Sequence, residues 1–425
     1  MLNHSMQAWC VLVMTLTFGP VMHASAQDAS PSLSFEQCIT NIQQTALESG
    51  IDAKYVDAAL GDVRKIDKVL EYDRNQPEFV QTFPAYLNKR VTDWRIAKGK
   101  EMLKKHNALL AQLTQKYGIP AHYLVSFWGL ETNFGSYKGK MPIIDSLATL
   151  ACDPRRSRFF TQELLIAIRL MERESLTKTK MQGSWAGAMG HTQFMPSAYI
   201  NYAVDGDGDG KVDLWDSEED ALTSAANFLN QLGWQSGFRW GREVTIPNEF
   251  DYAYAGKDRT KTLAQWSALG IKKVDDSSLS DTDLSASLIL PTGASGPAFL
   301  VYANFDVIMR WNNSESYALA VGYLADRIVG KPQWYKALPD LPNYPISDMV
   351  SLQEGLNYLG FDVGKADGII GPATRAGIRS FQLANNMVAD GYPMQSVFDA
   401  IQREVQKRIA IDEQAQVGQR VKSEI

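Results

Sequence analysis

Tyr123-Leu124-Val125-Ser126-Phe127-Trp128-Gly129-Leu130-Glu131-Thr132-Asn133-Phe134-Gly135 is the stretch on which the fold turns. Pro120 precedes it, and proline is at home in the first turn of a helix. In a helix begun there, Leu124, Phe127, Trp128 and Glu131 fall at i, i+3, i+4 and i+7. The spacing places a carboxyl on the face that carries two aromatic rings and a leucine. A carboxyl on such a face loses water and holds its proton to higher pH. It can then act as a general acid near neutral pH. The competing reading is a glutamate near a helix end, turned to solvent or paired with an arginine, since apolar surroundings mark catalytic carboxyls only statistically.

Helical texture spreads outward from this stretch. It dominates Glu36 to Gly118, with one long, proline-free helix expected from Trp94 through Thr114. Further helices are expected over Ser157 to Met171 and Glu218 to Leu232, the second closed by Gly233 as a C′ glycine. Between Arg242 and Tyr302 the pattern changes. Val244-Thr245-Ile246, Ser287-Leu288-Ile289-Leu290 and Phe299-Leu300-Val301-Tyr302 read as short strands bounded by Pro and Gly. Helix resumes from Asn304 to Ile328. The class is therefore α+β, mainly α-helical with a small β portion. Pro332, Pro339, Pro342 and Pro345 then mark a break. The expected plan is a signal segment at 1–26, a main domain at 27–335, a Pro-rich linker at 336–346, a small helical domain at 347–408 with two Asp-Gly turns, and a polar, frayed tail at 409–425.

A chain of 425 residues has room for two domains. A net charge of −6 without a basic domain argues against a nucleic-acid partner. The apolar run Ala8 to Met22, followed by His23-Ala24-Ser25-Ala26, reads as a secretory signal with a small-x-small cleavage pattern. A membrane anchor is the other reading, but the run is short and ends in a cleavage-like site. Cys10 lies too early in the run for a lipid anchor. An exported, periplasmic chain is expected. It would keep Cys38 and Cys152, which permit one disulfide or remain two buried thiols.

Two further stretches carry chemistry. In Gly183-Ser184-Trp185-Ala186-Gly187-Ala188-Met189-Gly190-His191-Thr192-Gln193-Phe194-Met195-Pro196, glycine and alanine are too dense for an ordinary helix. Small residues let a ligand approach the backbone. Ser184, His191 and Gln193 add polar groups, while Trp185 and Phe194 add flat apolar faces. That mixture suits a sugar, with hydroxyl edges and C–H faces; a tight glycine turn packed on a helix is the structural alternative. The glycine spacing matches neither a dinucleotide nor a P-loop fingerprint. In Asp205 to Asp216, acids stand at loop positions 1, 3, 5, 9 and 12, with Gly210 at position 6. This is the EF-hand calcium pattern. Asp205, Asp207 and Asp209 are candidate ligands, Lys211 offers only its backbone carbonyl, and Asp216, Glu219 or Asp220 would close the site. A structural Ca2+ is expected, and no organic cofactor. A solvated acidic turn is the alternative. No His-Glu-x-x-His or Cys-x-x-Cys occurs, and beyond the signal segment only His106, His122 and His191 remain, so zinc and triad hydrolysis are weakly supported.

Taken in order, the block around Glu131, Asp145-Ser146-Leu147-Ala148-Thr149-Leu150, Asp153-Pro154-Arg155-Arg156, the Gly183 block, Asn304-Phe305, Arg310-Trp311-Asn312 and Tyr317-Ala318-Leu319-Ala320-Val321 resemble the lytic murein transglycosylase B family over residues 35 to 335. The family also carries an EF-hand-like loop. Leu352-Gln353, Leu359-Gly360, Ala366-Asp367-Gly368, Gly371-Pro372-Ala373-Thr374 and Phe381-Gln382 resemble a three-helix peptidoglycan-binding module. The resemblance implies a lysozyme-like catalytic domain. It implies cleavage of the β-1,4 bond between N-acetylmuramic acid and N-acetylglucosamine without water, leaving 1,6-anhydro-muramyl ends. It implies Glu131 as the single catalytic acid and then base. Ser184, Gln193, Phe194, Asn312 and Tyr317 match cleft positions, and Arg155 and Arg156 match a pair near the peptide stems. Trp311 stands where relatives often have Tyr. Glycan strands are the expected partner, cell-wall synthesis or division proteins further ones, and a monomer the expected state.

Overall fold

The computed structural model describes residues 33–74 and 81–423, so the expected signal segment at 1–26 lies outside the described residues. Six helices lead to the central one: α1 (Phe35–Glu48), α2 (Ala53–Leu60), α3 (Asp67–Arg74), α4 (Phe83–Arg90), α5 (Asp93–Lys105) and α6 (Asn107–Tyr117). The helix α7 (Ala121–Thr132) carries Glu131. Then follow α8 (Ile143–Ala151), α9 (Ser157–Arg173), α10 (Pro196–Tyr202), α11 (Glu218–Gln231), α12 (Leu263–Ala268), α13 (Ala303–Trp311) and α14 (Glu315–Ile328). The C-terminal unit holds α15 (Ile346–Tyr358), α16 (Pro372–Ala384) and α17 (Gln395–Ser423).

The main body has two helical cores. Tyr123, Leu124, Phe127 and Trp128 of α7 join Phe305 of α13 and Leu319 to Ala325 of α14 in the first. Helices α1, α2, α8, α9 and α10 build the second around Leu147, Leu164 and Tyr199. Both central helices, α7 and α8, are buried almost all round. The face of Leu124, Phe127 and Trp128 is therefore only part of the buried surface of α7, and Glu131 at its end is half-buried: Ser126 is enclosed too, and its hydroxyl donates to the Val321 carbonyl at 2.7 Å. Such a helix needs every polar atom paired, and this bond supplies one. Cys38 of α1 and Cys152 at the end of α8 are joined in a disulfide, which resolves the alternative the sequence leaves open.

A third core lies under an antiparallel five-stranded sheet in the order β4-β6-β7-β3-β5. These strands are β3 (Gly241–Thr245), β4 (Thr260–Thr262), β5 (Lys272–Lys273), β6 (Ser285–Ile289) and β7 (Ala298–Val301). A separate pair, β1 (Met141–Pro142) and β2 (Gln182–Gly183), sets Met141 opposite Gly183.

Three expectations change. The helix expected from Trp94 through Thr114 is two helices, α5 and α6, broken at His106. That ring packs edge-on against Trp128 and lies 3.2 Å from the Glu218 carboxylate. Asn304 to Ile328 is also two helices. Ser314 caps the second by accepting the Tyr317 N–H. The tail expected to fray from residue 409 instead continues α17 to Ser423.

Candidate active-site cleft

A cleft of about 920 Å³ opens between the two helical cores. Glu131 lines it, from the last turn of α7. The break between α13 and α14 brings two donors to one oxygen of this carboxyl. The Trp311 indole N–H donates to Glu131 Oε1 at 3.1 Å, and the Tyr317 hydroxyl donates to the same Oε1. Trp311 ends α13 and Tyr317 sits in the first turn of α14, so a continuous helix would place them differently. Two donors thus meet at Oε1. Burial, and then the Glu131 charge, push the Tyr317 hydroxyl well above the usual tyrosine range. It stays protonated and acts as a donor rather than a base.

The chain turns sharply behind the carboxyl. Asn133 and Phe134 both take left-handed backbone, at φ 51 and 60. Two such residues in succession are uncommon outside glycine and are kept only where the surroundings enforce them. Asn133 accepts a hydrogen bond from the Arg95 guanidinium. Phe134 fills the space beside Gly129, where a Cβ would come within 2.7 Å of the ring. The Thr132 hydroxyl donates to the His191 carbonyl at 2.7 Å and accepts the Gly135 N–H at 2.9 Å. Below them, the Trp128 indole N–H donates to His191 Nδ1 at 3.1 Å. His191 is thus neutral, with its proton on Nε2. Burial, and next the Lys138 charge, push its pKa down to about 4.

The opposite wall is the Gly183–Pro196 block, and it is not helical before α10. Ser184 accepts the N–H groups of Ala186 and Ala188 at its hydroxyl oxygen, at 3.3 and 2.9 Å. Its own O–H is left to donate into the cleft. Gln193, at φ 52, gives both amide hydrogens to carbonyls, those of Lys138 at 3.1 Å and Gly190 at 2.9 Å. Its Oε1 is then the cleft-facing acceptor. The glycines of the block are closely packed by the protein itself, as the tight-turn alternative requires: a Cβ on Gly183 would lie 2.1 Å from the Ala188 carbonyl, and one on Gly187 2.5 Å from the Leu147 side chain.

The cleft gathers Glu131, Ser184, Gln193, Asn312 and Tyr317. Phe194 is buried behind it instead and packs edge-on against Trp311 and Phe228. Arg155 and Arg156 line a different pocket, with Arg158 and Phe159, and both pair with Asp73. Tyr86 and Arg90 of α4, Glu71 and Tyr72 of α3, Tyr137, and Trp185 also line the cleft. Trp185 lies inside the glycine block, where a flat face is expected, and Tyr137 stands just beyond the Glu131 motif; Tyr86, Arg90, Glu71 and Tyr72 come from helices with no local mark of chemistry.

In the acidic loop, ligating oxygens of Asp205, Asp207 and Asp209 lie within 4.8 Å of one another. This oxygen-only, carboxylate-rich donor set fits a hard divalent cation such as Ca2+. The N–H of Gly210, and then that of Gly208, hold the Asp205 carboxyl below its usual range. Lys211 donates its N–H to Asp209 at 2.8 Å. Asp216 pairs with Lys180 at 3.3 Å. Asp220 is buried and accepts the Gly206 and Asp213 N–H groups, both at 2.7 Å, so it clamps the loop's backbone.

Comparison with known proteins gives the family. Residues 34–326 match the family model of the transglycosylase SLT domain, and 346–401 match that of a peptidoglycan binding domain. A membrane-bound lytic murein transglycosylase B of Escherichia coli (strain K12) is 31% identical over 302 residues, which are 68% of this chain and 81% of that protein. A crystal structure of SltB3 from Pseudomonas aeruginosa, in complex with NAG-anhNAM-pentapeptide, is similar at a TM-score of 0.82 and 42% identity, covering 87% of this chain and 99% of that one. The Escherichia coli lytic transglycosylase Slt35, solved in complex with calcium, gives a TM-score of 0.61 at 30% identity over 69% of this chain and 92% of that one.

Proposed function

The chain belongs to the lytic transglycosylase family defined by the SLT domain, and from that premise we propose that Glu131 alone carries the proton through both halves of the reaction. The enzyme is a peptidoglycan lytic transglycosylase. Glu131 gives its proton to the glycosidic oxygen as the bond from the muramyl C1 to that oxygen breaks. The substrate's N-acetyl group stabilises the resulting cation. The muramyl 6-hydroxyl then attacks C1, and Glu131 takes the hydroxyl proton. One C–O bond breaks, one forms, and no water enters, so the ends are 1,6-anhydro-muramyl. Water must be kept from C1 for this route to win; Leu130, Trp185 and Trp311 in the lining support that role.

The observation that carries the reading is the pair of donors from Trp311 and Tyr317 on one oxygen of Glu131. Ordinary glycosidases flank the bond with two carboxyls. Glu71 also lines the cleft, from an exposed position. Were it a second acid or base, hydrolysis would follow and each end would gain a water. Mass spectrometry of digested murein sacculi decides between these routes. Wild-type enzyme should release ends lighter by one water than hydrolysed ones, and Glu131→Gln should bind sacculi and release nothing. Hydrated ends, or turnover by Glu131→Gln, would refute the assignment.

We also propose that Ser184, Gln193, Asn312 and Tyr137 contact the glycan, and that Asp205, Asp207 and Asp209 hold a structural Ca2+. The helical unit at 347–408 is read as a wall-binding module, and the enzyme as a periplasmic monomer. Among the described residues no helix is long and apolar enough to cross a membrane.

A further inference from the structure

We infer that Trp215, which does not line the cleft, is a positioning residue for the wall that carries Ser184 and Gln193. The inference rests on the reading that this wall binds the glycan. Trp215 stands near the end of the acidic loop and is only 6% exposed. Separate parts of the wall meet at it. Its indole N–H donates to the Gln182 carbonyl in β2 at 2.8 Å, one residue before the turn that begins at Gly183. Its own carbonyl accepts the Lys138 ammonium. The Lys138 carbonyl in turn accepts the Gln193 amide at 3.1 Å. One residue earlier, the Leu214 carbonyl accepts the His191 N–H at 2.8 Å. Gly190 presses so closely on Leu214 that a Cβ would come within 2.3 Å of that carbonyl.

The Ser184 turn, the Lys138 segment and the Gly190–Gln193 segment therefore share one backing. Gln193 is oriented by two carbonyls, and one of them is held in place through Trp215. Binding groups lose affinity when their supports let them drift by a fraction of an ångström. A loosened backing should thus weaken substrate binding more than it slows chemistry at Glu131, which hangs from α7, α13 and α14.

Trp215→Phe keeps most of the ring and removes the N–H. The full chain would be assayed on soluble peptidoglycan oligosaccharides. We expect KM to rise roughly two- to ten-fold, the range that one neutral hydrogen bond spans, with kcat within about two-fold of wild type on the same bond scale. Tyr199→Phe is the comparison. It removes a 2.6 Å bond to the Val212 carbonyl in the same loop, on no cleft segment, and should lower the melting temperature without moving KM. Lys138→Met should raise KM as Trp215→Phe does, and the double variant should show less than the product of the two effects. An unchanged KM in Trp215→Phe and Lys138→Met, or an equal rise in Tyr199→Phe, would overturn the inference. The site reading fails separately, if Gln193→Ala leaves KM unchanged.

Discussion

Replacing Tyr317 by phenylalanine tests the mechanism at its most specific contact. The phenol is buried, at 4% exposure, and its O–H points at Glu131 Oε1 beside the Trp311 N–H. The variant keeps the ring against Phe127 and deletes one of two donors. A hydrogen bond to a charged group contributes about 1.5–3 kcal/mol, as such bonds do elsewhere. The bond orients the carboxyl in every step, and it is strongest while Glu131 is anionic, just after the leaving oxygen has been protonated. If it is lost fully from the barrier, kcat falls roughly 10- to 150-fold at 1.36 kcal/mol per decade. KM should change little, because the hydroxyl faces the carboxyl and not the sugar. That split, a lower kcat with kcat/KM falling equally, marks an interaction made in the transition state. The assay is steady-state release of anhydro-muropeptides from a soluble glycan, with circular dichroism to confirm the fold. Trp311→Phe removes the longer bond and should cost less. A Tyr317→Phe enzyme within two-fold of wild-type kcat would refute the claim that α14 holds the catalytic oxygen.

Three other outcomes are expected. His191 is neutral in the fold, with its pKa pushed down to about 4, against about 6.5 in an unfolded chain. The unfolded chain then binds the extra proton between these values, so stability is whole above pH 6.5 and falls as pH drops toward 4, by about 3 kcal/mol in the limit. Denaturant titrations at pH 7 and pH 4.5 should show the loss, and His191→Gln should flatten it. Cys38 and Cys152 are 114 residues apart in sequence, and closing a loop of that order stabilises by up to about 4.7 kcal/mol; Cys38→Ser with Cys152→Ser should lose several kcal/mol in denaturant while keeping activity at room temperature. Calcium at 100 times its Kd should stabilise by about 2.7 kcal/mol, seen as a melting-temperature rise that a chelator reverses and that Asp205→Asn with Asp207→Asn abolishes.

Much of this site is written in local pattern. Glu131, the glycines of 183–190 and the alternating aspartates of 205–209 each demand their residue types at fixed spacing, for reasons of burial, close approach or charge. The strands β3, β6 and β7 are likewise legible, because β-branched and aromatic runs end at Pro or Gly. What escapes the pattern is whatever depends on contacts distant in sequence. The break at His106 has no proline or glycine to announce it; a ring set against Trp128 and a carboxylate at Glu218 make it. The strands β4 and β5 are too short for a period to show. Tyr86 and Arg90 reach the cleft only because α4 packs against α14. Arg155 and Arg156 pair instead with Asp73, 82 and 83 residues upstream.

The break between α13 and α14 shows why motif and mechanism remain different kinds of knowledge. Trp311 and Tyr317 lie six residues apart, and an unbroken helix would turn them through 600°, to faces roughly 120° from one another. They could not then reach one carboxylate oxygen from the same side. The interruption at Asn312–Ser314 removes that constraint. Ser314 extends the backbone, caps the new helix through the Tyr317 N–H, and so fixes where the phenol starts. The side-chain oxygen at 314 thus fixes the start of the helix whose phenol donates to Glu131. The tryptophan at 311 fits the same account: its indole N–H is a donor aimed at Oε1.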